Sequence, residues 1–269
     1  MRVAVLGDIH ANVRALQAAL KIADEGGYDQ LIFLGDLLTY GIDVVETLEL
    51  VGERLASERA ALLRGNHDAL YRDMLQGNST YLDKLPVWIK ESVEWTLDRL
   101  PLDVWSNISF KDELQIQRIL FSHANPFGPE KWQYLNTVVE HANAAEALLV
   151  RGVHVGIFGH THRAKWYRHL NNHGDLNSNK FGELDYPAVH VLNAGSIGQP
   201  RDNANPVAAV LWLTIPDNSI TAPSFTLQAF SWDVAGHMQG LAANKLSTDT
   251  VTRLSEFFKS TSDNQPKLQ

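Results

Sequence analysis

The sequence contains no cysteine. This absence excludes disulfide bonds, thiolate metal ligands and cysteine nucleophiles, and it fits a chain that folds in a reducing compartment. No uninterrupted apolar stretch approaches the ~20 residues that a membrane span needs, and the apolar run at the N-terminus is too short for a signal peptide. We therefore expect a soluble, cytoplasmic protein with no membrane partner.

Positive charge is also scarce, and it is not clustered. The chain carries 23 lysine and arginine residues against 31 aspartate and glutamate residues, which gives a formal net charge of −8. Broad binding of nucleic acid needs a basic face, so the composition argues against that partner. A local basic pocket for one phosphate remains compatible with it, because net charge does not describe a single site. The sequence is equally compatible with a homo-oligomer.

The chain is long enough to bury a sizeable core. Of its 269 residues, 45% are hydrophobic and 20% are charged, which is typical of a globular protein. No internal repeat or linker interrupts the sequence. We predict a single domain over residues 1–269, with a core over about 1–215, a C-terminal strand and helices over 220–258, and a frayed tail over 259–269.

The first third of the sequence alternates short apolar runs with segments of helical spacing. Val3–Leu6, Leu31–Leu34 and Ala61–Leu63 predict buried strands, and the segments between them predict two helices. This βαβαβ pattern indicates a parallel sheet with helices on its faces.

After the βαβαβ pattern, the sequence predicts loops, strands and further helices. The sequence predicts a polar loop over 71–82, a helix over 86–100 and a strand over 104–110. The stretch 171–179 is rich in asparagine and glycine, which predicts an exposed hairpin tip. Apolar stretches between turn residues predict further strands at 164–170, 189–192, 207–213 and 225–230.

Polar clusters follow the predicted strands at the points where these strands end. They are Gly7-Asp8-Ile9-His10, Gly35-Asp36, Gly65-Asn66-His67-Asp68, Ser122-His123 and Gly159-His160-Thr161-His162. In α/β proteins, functional sites gather at the carboxyl ends of the strands. A glycine beside an acidic residue lets the backbone turn sharply and approach an ion closely. The clusters therefore predict one site that several loops build together.

The chemistry of these side chains indicates metal binding. Oxygen ligands combined with several imidazoles suit Mn²⁺, Zn²⁺ or Fe, and the set is too rich in nitrogen for Ca²⁺ or Mg²⁺ alone. Taken singly, each Gly-Asp pair is also compatible with an ordinary turn, and Asn66-His67-Asp68 with the start of a helix. The remaining histidines match no such pattern, and we predict surface or structural roles for them: His141, His154, His169, His173, His190 and His237.

The five clusters, in this order, resemble the calcineurin-like metallophosphoesterase superfamily. The resemblance covers residues 1 to about 215 and implies an α/β fold, a four-layer α/β/β/α sandwich of two mixed sheets with outer helices. The stretch Asn193-Ala194-Gly195-Ser196-Ile197-Gly198-Gln199-Pro200-Arg201 resembles the C-terminal signature of the compact bacterial and archaeal phosphodiesterase branch.

The resemblance implies a role for each matching residue. It assigns the first metal to Asp8, His10 and His162, the second metal to Asn66, His123 and His160, and the bridging position to Asp36. His67 matches the proton-donating histidine of the family. Arg201 could bind a phosphate oxygen bidentately, although a surface arginine after a turn is the alternative interpretation.

The implied cofactors are two divalent transition-metal ions, Mn²⁺ first, with Zn²⁺ or Fe as alternatives. The implied reaction is the hydrolysis of a phosphodiester or phosphomonoester bond in a small, nucleotide-like substrate by in-line attack of a metal-bridging hydroxide. The protein would then be a phosphodiesterase or phosphatase whose partner is a small phosphate ester.

Two related activities are alternatives. Some relatives are assigned as symmetric dinucleoside polyphosphate hydrolases, and a lid over 71–101 could stack Trp88 and Trp95 on a base. A plain hydrophobic helix is the favoured explanation of these tryptophans. Protein Ser/Thr phosphatases of the superfamily carry Asp-Arg in the second motif. This chain has Thr39-Tyr40 there, which disfavours that activity.

A third alternative is a non-catalytic scaffold on the same fold, like the retromer subunit that resembles these enzymes. Such a scaffold is expected to lack the acid histidine. Because His67 is present in this chain, the sequence favours an enzyme.

Overall fold

Two six-stranded sheets form the centre of the molecule in this computed structural model, which describes residues 1–171, 173–201, 207–218 and 220–262, with backbone alone for 260–262. The strands are β1 (Arg2–Leu6), β2 (Gln30–Phe33), β3 (Ala60–Leu62), β4 (Glu113–Ile116), β5 (Ile119–Ser122), β6 (Val155–Phe158), β7 (Lys165–Leu170), β8 (His173–Asn177), β9 (Phe181–Glu183), β10 (Val189–Asn193), β11 (Ala209–Thr214) and β12 (Ser224–Ala229). The helices are α1 (Val13–Gly26), α2 (Val44–Leu55), α3 (Asn66–Leu75), α4 (Val87–Leu97), α5 (Leu102–Asn107), α6 (Val138–Val150), α7 (Val234–Ala243) and α8 (Thr248–Ser262), with a 3₁₀ turn at Leu82–Lys84.

Both sheets are mixed, and each contains a parallel half. The first has the order β3-β2-β1-β11-β12-β9, in which β1, β2 and β3 are parallel. The second has the order β4-β5-β6-β10-β7-β8, in which β5, β6 and β10 are parallel. The parallel halves explain why the predicted polar clusters, which follow β1, β2, β3, β5 and β6, converge at one edge of the sandwich.

The core lies between the sheets and continues under the helices on both sides. Val5 of β1 and Ile157 of β6 are fully buried in the inner layer, where the two sheets face each other. Leu6 packs outward with Leu16 of α1, and α6 covers the outer face of the second sheet through Leu148. Burial on both faces explains why β1 reads as one continuous apolar run. The predicted four-layer α/β/β/α sandwich is confirmed.

Side-chain caps fix where two of the helices begin. Asn12 Oδ1 accepts a hydrogen bond from Ala15 N at 3.1 Å at the start of α1. At the start of α6, Thr137 Oγ1 accepts from Glu140 N at 3.2 Å, and the Glu140 carboxylate accepts from Thr137 N at 2.8 Å. This reciprocal pair satisfies backbone donors that have no partner inside the helix.

Three local predictions differ from the structure. The predicted strand over 104–110 is largely helix α5, which begins after Pro101 and buries Trp105 against Tyr71 and Phe110. The predicted hairpin tip over 171–179 is too long: the chain does reverse between Leu170 and His173, but most of the stretch is the edge strand β8, whose backbone pairs with β7 despite its polar side chains. The predicted loop over 71–82 begins inside helix α3. In each case tertiary packing or backbone pairing outweighs local composition.

The C-terminal helix is longer than the sequence predicts. Helix α8 extends to Ser262, past the predicted end at 258, and residues 263–269 of the predicted tail lie outside the described residues. Within the described part of the chain, no helix is long and apolar enough to cross a membrane.

A buried histidine on α7 makes the stability of the fold depend on pH. His237 is 2% exposed, its ring lies 5.0 Å from that of Phe258, and its Nδ1 has no hydrogen-bond partner among the described residues. Burial and the nearby Arg14 lower the pKa of His237 to about 4, although Asp233 opposes the shift. Because the unfolded chain binds this proton at higher pH, the folded state is fully favoured above pH 6.5 and loses stability as the pH falls towards 4.

We expect His237→Leu to remove this dependence. In the native chain, protonation of the unfolded state at this histidine should cost about 3 kcal/mol of stability between pH 6.5 and 4. Urea denaturation at a series of pH values measures it, and the exposed His173→Leu serves as the matched control. An unchanged slope of unfolding free energy against pH in His237→Leu would contradict the assignment.

Candidate metal centre

All seven candidate ligands lie at one edge of the sandwich, on the loops that follow five strands. Each of them is buried, with a relative exposure of 6% or less: Asp8, His10, Asp36, Asn66, His123, His160 and His162. The structure therefore brings together the complete set that the sequence predicts.

The backbone at these loops is strained in a way that ordinary turns avoid. Five of the seven residues have a positive φ although none is glycine: Asp8 (53°), His10 (52°), Asp36 (53°), His160 (67°) and His162 (59°). Left-handed conformations of bulky residues cost free energy and persist where the surrounding structure requires them, often at functional sites. This strain turns the side chains towards a common centre.

The acidic and histidine side chains form two groups that share one carboxylate. The donor atoms within each group lie within 4.8 Å of one another: Asp8, His10, Asp36 and His162 in one, and Asp36, His123 and His160 in the other. Asp36 Oδ2 is 3.8 Å from His10 Nε2 and 3.4 Å from His123 Nε2. Each group has enough donors to hold a metal ion, and Asp36 belongs to both groups.

Backbone carbonyls determine which nitrogen of each imidazole is free. Four carbonyl oxygens accept the other ring N–H of the four histidines: Leu38 O from His10 Nδ1 at 2.9 Å, Leu34 O from His123 Nδ1 at 2.8 Å, Gln199 O from His162 Nδ1 at 2.8 Å and Trp132 O from His160 Nε2 at 3.1 Å. The remaining nitrogen of each neutral ring carries a lone pair. A histidine whose other ring nitrogen is held by a backbone carbonyl in this way is typical of metal sites.

Two of these lone pairs face each other across a short gap. His10 Nε2 lies 3.0 Å from His162 Nε2. When both Nδ1 atoms carry the proton, this pair has no hydrogen to share, and a bound cation would relieve the contact, so this group fits a metal ion. In the second group, His123 Nε2 lies 3.1 Å from Asn66 Oδ1 and 3.4 Å from Asp36 Oδ2, so a protonated ring can donate to either oxygen when no cation is bound.

The ionisation of the centre follows from burial and close charges. Burial raises the pKa of Asp8 to about 7, whereas Asp36 keeps a pKa well below its usual range, against burial, because His123 and His67 stabilise its charge. Burial opposes protonation of His123, but the Asp36 carboxylate raises its pKa to about 9. Burial lowers the pKa of His10 to about 3. Metal ions would favour the deprotonated form of each of these groups.

Two glycines allow other chain segments to lie directly against the carboxylates. A Cβ atom on Gly65 would stand 2.1 Å from Asp36 Oδ1, and one on Gly159 would stand 2.5 Å from Asp8 Oδ2. These distances are shorter than any van der Waals contact, so the two positions accept no side chain without displacing the carboxylates.

Asp68 has a structural role that the sequence does not predict. Its carboxylate accepts hydrogen bonds from Asp36 N at 2.8 Å, Gly65 N at 2.8 Å and Leu37 N at 3.1 Å. One buried side chain thereby holds the loops that carry Asp36 and Asn66. The signal that could have revealed it is its place three residues after Gly65, where an acidic residue caps a helix.

His67 stands beside the centre without joining either group. Its backbone N donates to Asp36 Oδ1 at 2.9 Å, and its ring lies 5.3 Å from that of His10. The His67 Nδ1 atom is buried and has no hydrogen-bond partner in the described part of the chain. Burial lowers the pKa of His67, although Asp36 opposes the shift.

Arg201 and the two candidate lid tryptophans occupy different environments. The half-buried Arg201 donates from its backbone N to His162 O at 3.1 Å, which places it beside the centre. Trp95 is 8% exposed and belongs to the hydrophobic core, so the plain-helix interpretation is confirmed for it. Trp88 stacks on Tyr40, with ring centres 5.9 Å apart.

The other histidines stay apart from the centre. Neither group of candidate ligands includes any of the six histidines predicted to have surface or structural roles: His141, His154, His169, His173, His190 and His237.

The fold and the site together define a two-sheet α/β protein with a buried Asp/His centre that could hold metal ions at one edge. Comparison with known proteins agrees with this class. The model of the calcineurin-like phosphoesterase family matches residues 1–164, and the chain belongs to that family.

Individual proteins resemble the chain in sequence or in fold. The chain is 31% identical over 211 residues to the uncharacterized protein MJ0912 of Methanocaldococcus jannaschii, a match that covers 76% of this chain and 79% of the relative. A metallophosphoesterase from Sphaerobacter thermophilus has a similar structure, with a TM-score of 0.74, 24% identity and coverage of 96% and 100% of the two chains. A hypothetical protein from Pyrococcus horikoshii has a TM-score of 0.68, 17% identity and coverage of 94% and 97%.

Proposed function

We propose that this chain is a dinuclear metal-dependent phosphoesterase that hydrolyses a phosphodiester or phosphomonoester bond of a small, nucleotide-like substrate. The observation that carries the proposal is the pair of buried ligand groups that share Asp36. Family membership supports the phosphoester chemistry.

In this proposal, three residues belong to each metal and one to both. Asp8, His10 and His162 hold the first ion, Asn66, His123 and His160 hold the second, and Asp36 bridges them. When bound, two divalent ions activate water as a nucleophile, neutralise the charge of the phosphoryl oxygens and hold them for in-line displacement. The mixed oxygen and imidazole donors favour Mn²⁺, with Zn²⁺ or Fe as alternatives.

The residues around the ligands have separate tasks. Asp36 supplies negative charge between the two ligand groups, which offsets the repulsion of two cations. His67 donates a proton to the leaving oxygen, because it lies beside Asn66 and has no partner for its Nδ1 among the described residues. Arg201 binds a phosphate oxygen beside His162.

Two observations weigh against the alternative functions. Thr39 and Tyr40 occupy the positions where protein Ser/Thr phosphatases carry Asp-Arg, so the centre lacks that pair. The buried His67 beside complete ligand groups disfavours a non-catalytic scaffold.

A substrate panel tests the proposal. We expect Mn²⁺-dialysed protein to retain close to two ions per chain by elemental analysis, to hydrolyse an aryl phosphodiester or an aryl phosphomonoester, and to lose that activity with a chelator. The panel also contains a cyclic nucleotide, a dinucleoside tetraphosphate and a phosphoprotein. Turnover of the phosphoprotein without turnover of any small ester, or a metal content at background, would contradict the proposal.

A further inference from the structure

Arg201 lies in a seat that two aromatic rings and one amide form around its guanidinium. The guanidinium carbon is 5.6 Å from the centre of the Tyr40 ring and 5.0 Å from that of Phe257. Gln199 Oε1 accepts hydrogen bonds from Arg201 Nε at 3.0 Å and from Nη2. Trp88 supports both rings, 5.9 Å from Tyr40 and 6.3 Å from Phe257. Cation–π contacts and the amide thus fix the orientation of a planar donor.

This seat is attached to the candidate metal centre. Arg201 N donates to His162 O at 3.1 Å, and His162 Nδ1 donates to Gln199 O at 2.8 Å. On the other side, the Tyr40 ring lies 5.0 Å from the ring of His67. The free edge of the guanidinium therefore has a defined position relative to both the ligand groups and the proposed proton donor.

The amide of Gln199 leaves a donor without a partner. Arginine offers only donors, so the oxygen of Gln199 must face Arg201 and the NH₂ group must point elsewhere. Gln199 is 1% exposed, and its Nε2 has no hydrogen-bond partner among the described residues. A buried donor without a partner is costly, which indicates that an acceptor from outside the protein belongs there.

The free N–H groups of Arg201 and Gln199 match a phosphate group that carries two negative charges. Of the five guanidinium N–H groups, Gln199 Oε1 engages one on Nε and one on Nη2, and the Tyr40 hydroxyl accepts from a further one, so two remain beside the two of the Gln199 amide. A phosphodiester has two terminal oxygens and one negative charge, and bound metal ions would compete with Arg201 for those two oxygens. A phosphomonoester has a third terminal oxygen and a second negative charge.

We infer that Arg201 and Gln199, held between Tyr40 and Phe257, bind the third terminal oxygen of a phosphomonoester, and that small phosphate monoesters are the preferred substrates. This inference rests on the proposed function. Tyr40 and Phe257 are positioning residues, because they act through Arg201. Phe257 belongs to α8, so the C-terminal helix, which lies outside the matched family region 1–164, contributes to substrate selection.

Two esters with the same leaving group test the inference in Mn²⁺-loaded full-length protein. They are p-nitrophenyl phosphate, a monoester, and methyl p-nitrophenyl phosphate, a diester. For Arg201→Met we expect kcat/KM on the monoester to fall by about 10- to 100-fold, mainly through KM, and by about tenfold more than kcat/KM on the diester. Phe257→Leu should lower the monoester value by about 3- to 10-fold, and Phe257→Tyr should preserve it.

Controls separate substrate recognition from general damage. Arg253→Met makes the same substitution on the exposed face of α8 and should leave both esters unaffected. Manganese content should remain unchanged in every variant. Equal losses on the monoester and the diester in Arg201→Met, or no loss on either, would overturn the inference.

Calorimetric titration with phosphate anions tests the inferred binding preference without turnover of an ester. Wild-type protein should bind inorganic phosphate more tightly than dimethyl phosphate, and Arg201→Met should remove this difference. Equal affinity of the wild type for the two anions would overturn the inference even if both esters are hydrolysed. If no small ester of the substrate panel is hydrolysed, the proposed function is wrong, whereas the phosphate titration still tests phosphate binding by Arg201 and Gln199.

Discussion

Replacing Asp36 by alanine should lower kcat/KM by about 10³-fold or more, because several kcal/mol of transition-state stabilisation depend on two correctly held cations. Asp36 is the only residue shared by the two ligand groups of the described chain. Its Oδ1 atom also accepts the backbone N–H of His67 at 2.9 Å, so the substitution affects the proton donor as well. We expect the variant to retain less than two metal ions per chain.

Elemental analysis and steady-state kinetics on one preparation check this prediction. The exposed Asp98→Ala provides the matched control, and it should retain both metals and full activity. Circular dichroism establishes that Asp36→Ala is folded. If the folded variant keeps two ions and most of its activity, the bridging role of Asp36 is wrong.

Replacing His67 by asparagine should have an effect that depends on the leaving group. General acids contribute roughly 10²- to 10⁴-fold, and only where the departing oxygen needs a proton. A nitrophenolate leaves readily as an anion, whereas an alkoxide does not. His67→Asn should therefore nearly abolish hydrolysis of alkyl esters and largely spare aryl esters. The backbone hydrogen bond from residue 67 to Asp36 remains available in the variant.

The measurement is kcat/KM for wild type and His67→Asn over a series of esters with rising leaving-group pKa, with metal content determined in parallel. The variant should show the steeper dependence. Equal slopes with intact metals would mean that another group protonates the leaving oxygen and that His67 orients the substrate.

Sequence reasoning could predict the parts of the site whose positions follow from the order and direction of the strands. Asp8, Asp36 and Asn66 each follow one of the three parallel strands of the first sheet, so strand order alone places them at a common edge. The donor types then indicate a metal, because two carboxylates, an amide and four imidazoles have few other reasons to meet in a buried cluster.

The seat of Arg201 could not be predicted in the same way. Tyr40 and Phe257 are separated by more than two hundred positions, and their approach depends on how α8 packs against α4 and α7. The sequence does not predict helix α5, for a related reason. Val104 and Ile108 favour strands, and the burial of Trp105 against Tyr71 is a tertiary contact that has no local signature.

The buried His237 illustrates a third limit. Its residue type is compatible with an exposed or a structural position, and only the packing of α7 against α8 shows that its ring is enclosed. The pH dependence of stability that follows from it is a property of that packing.

The spacing of the candidate ligands along the chain has a further consequence. His10 and His162 meet across 152 residues, and their loops belong to different sheets, which share no strand pairing among the described residues. Ions bound at this edge would tie the two halves of the polypeptide into closed loops and so reduce the freedom of the unfolded chain. In a protein without cysteine, the metal pair would thus act as a reversible cross-link, and the release of the ions and the separation of the two sheets would be coupled events.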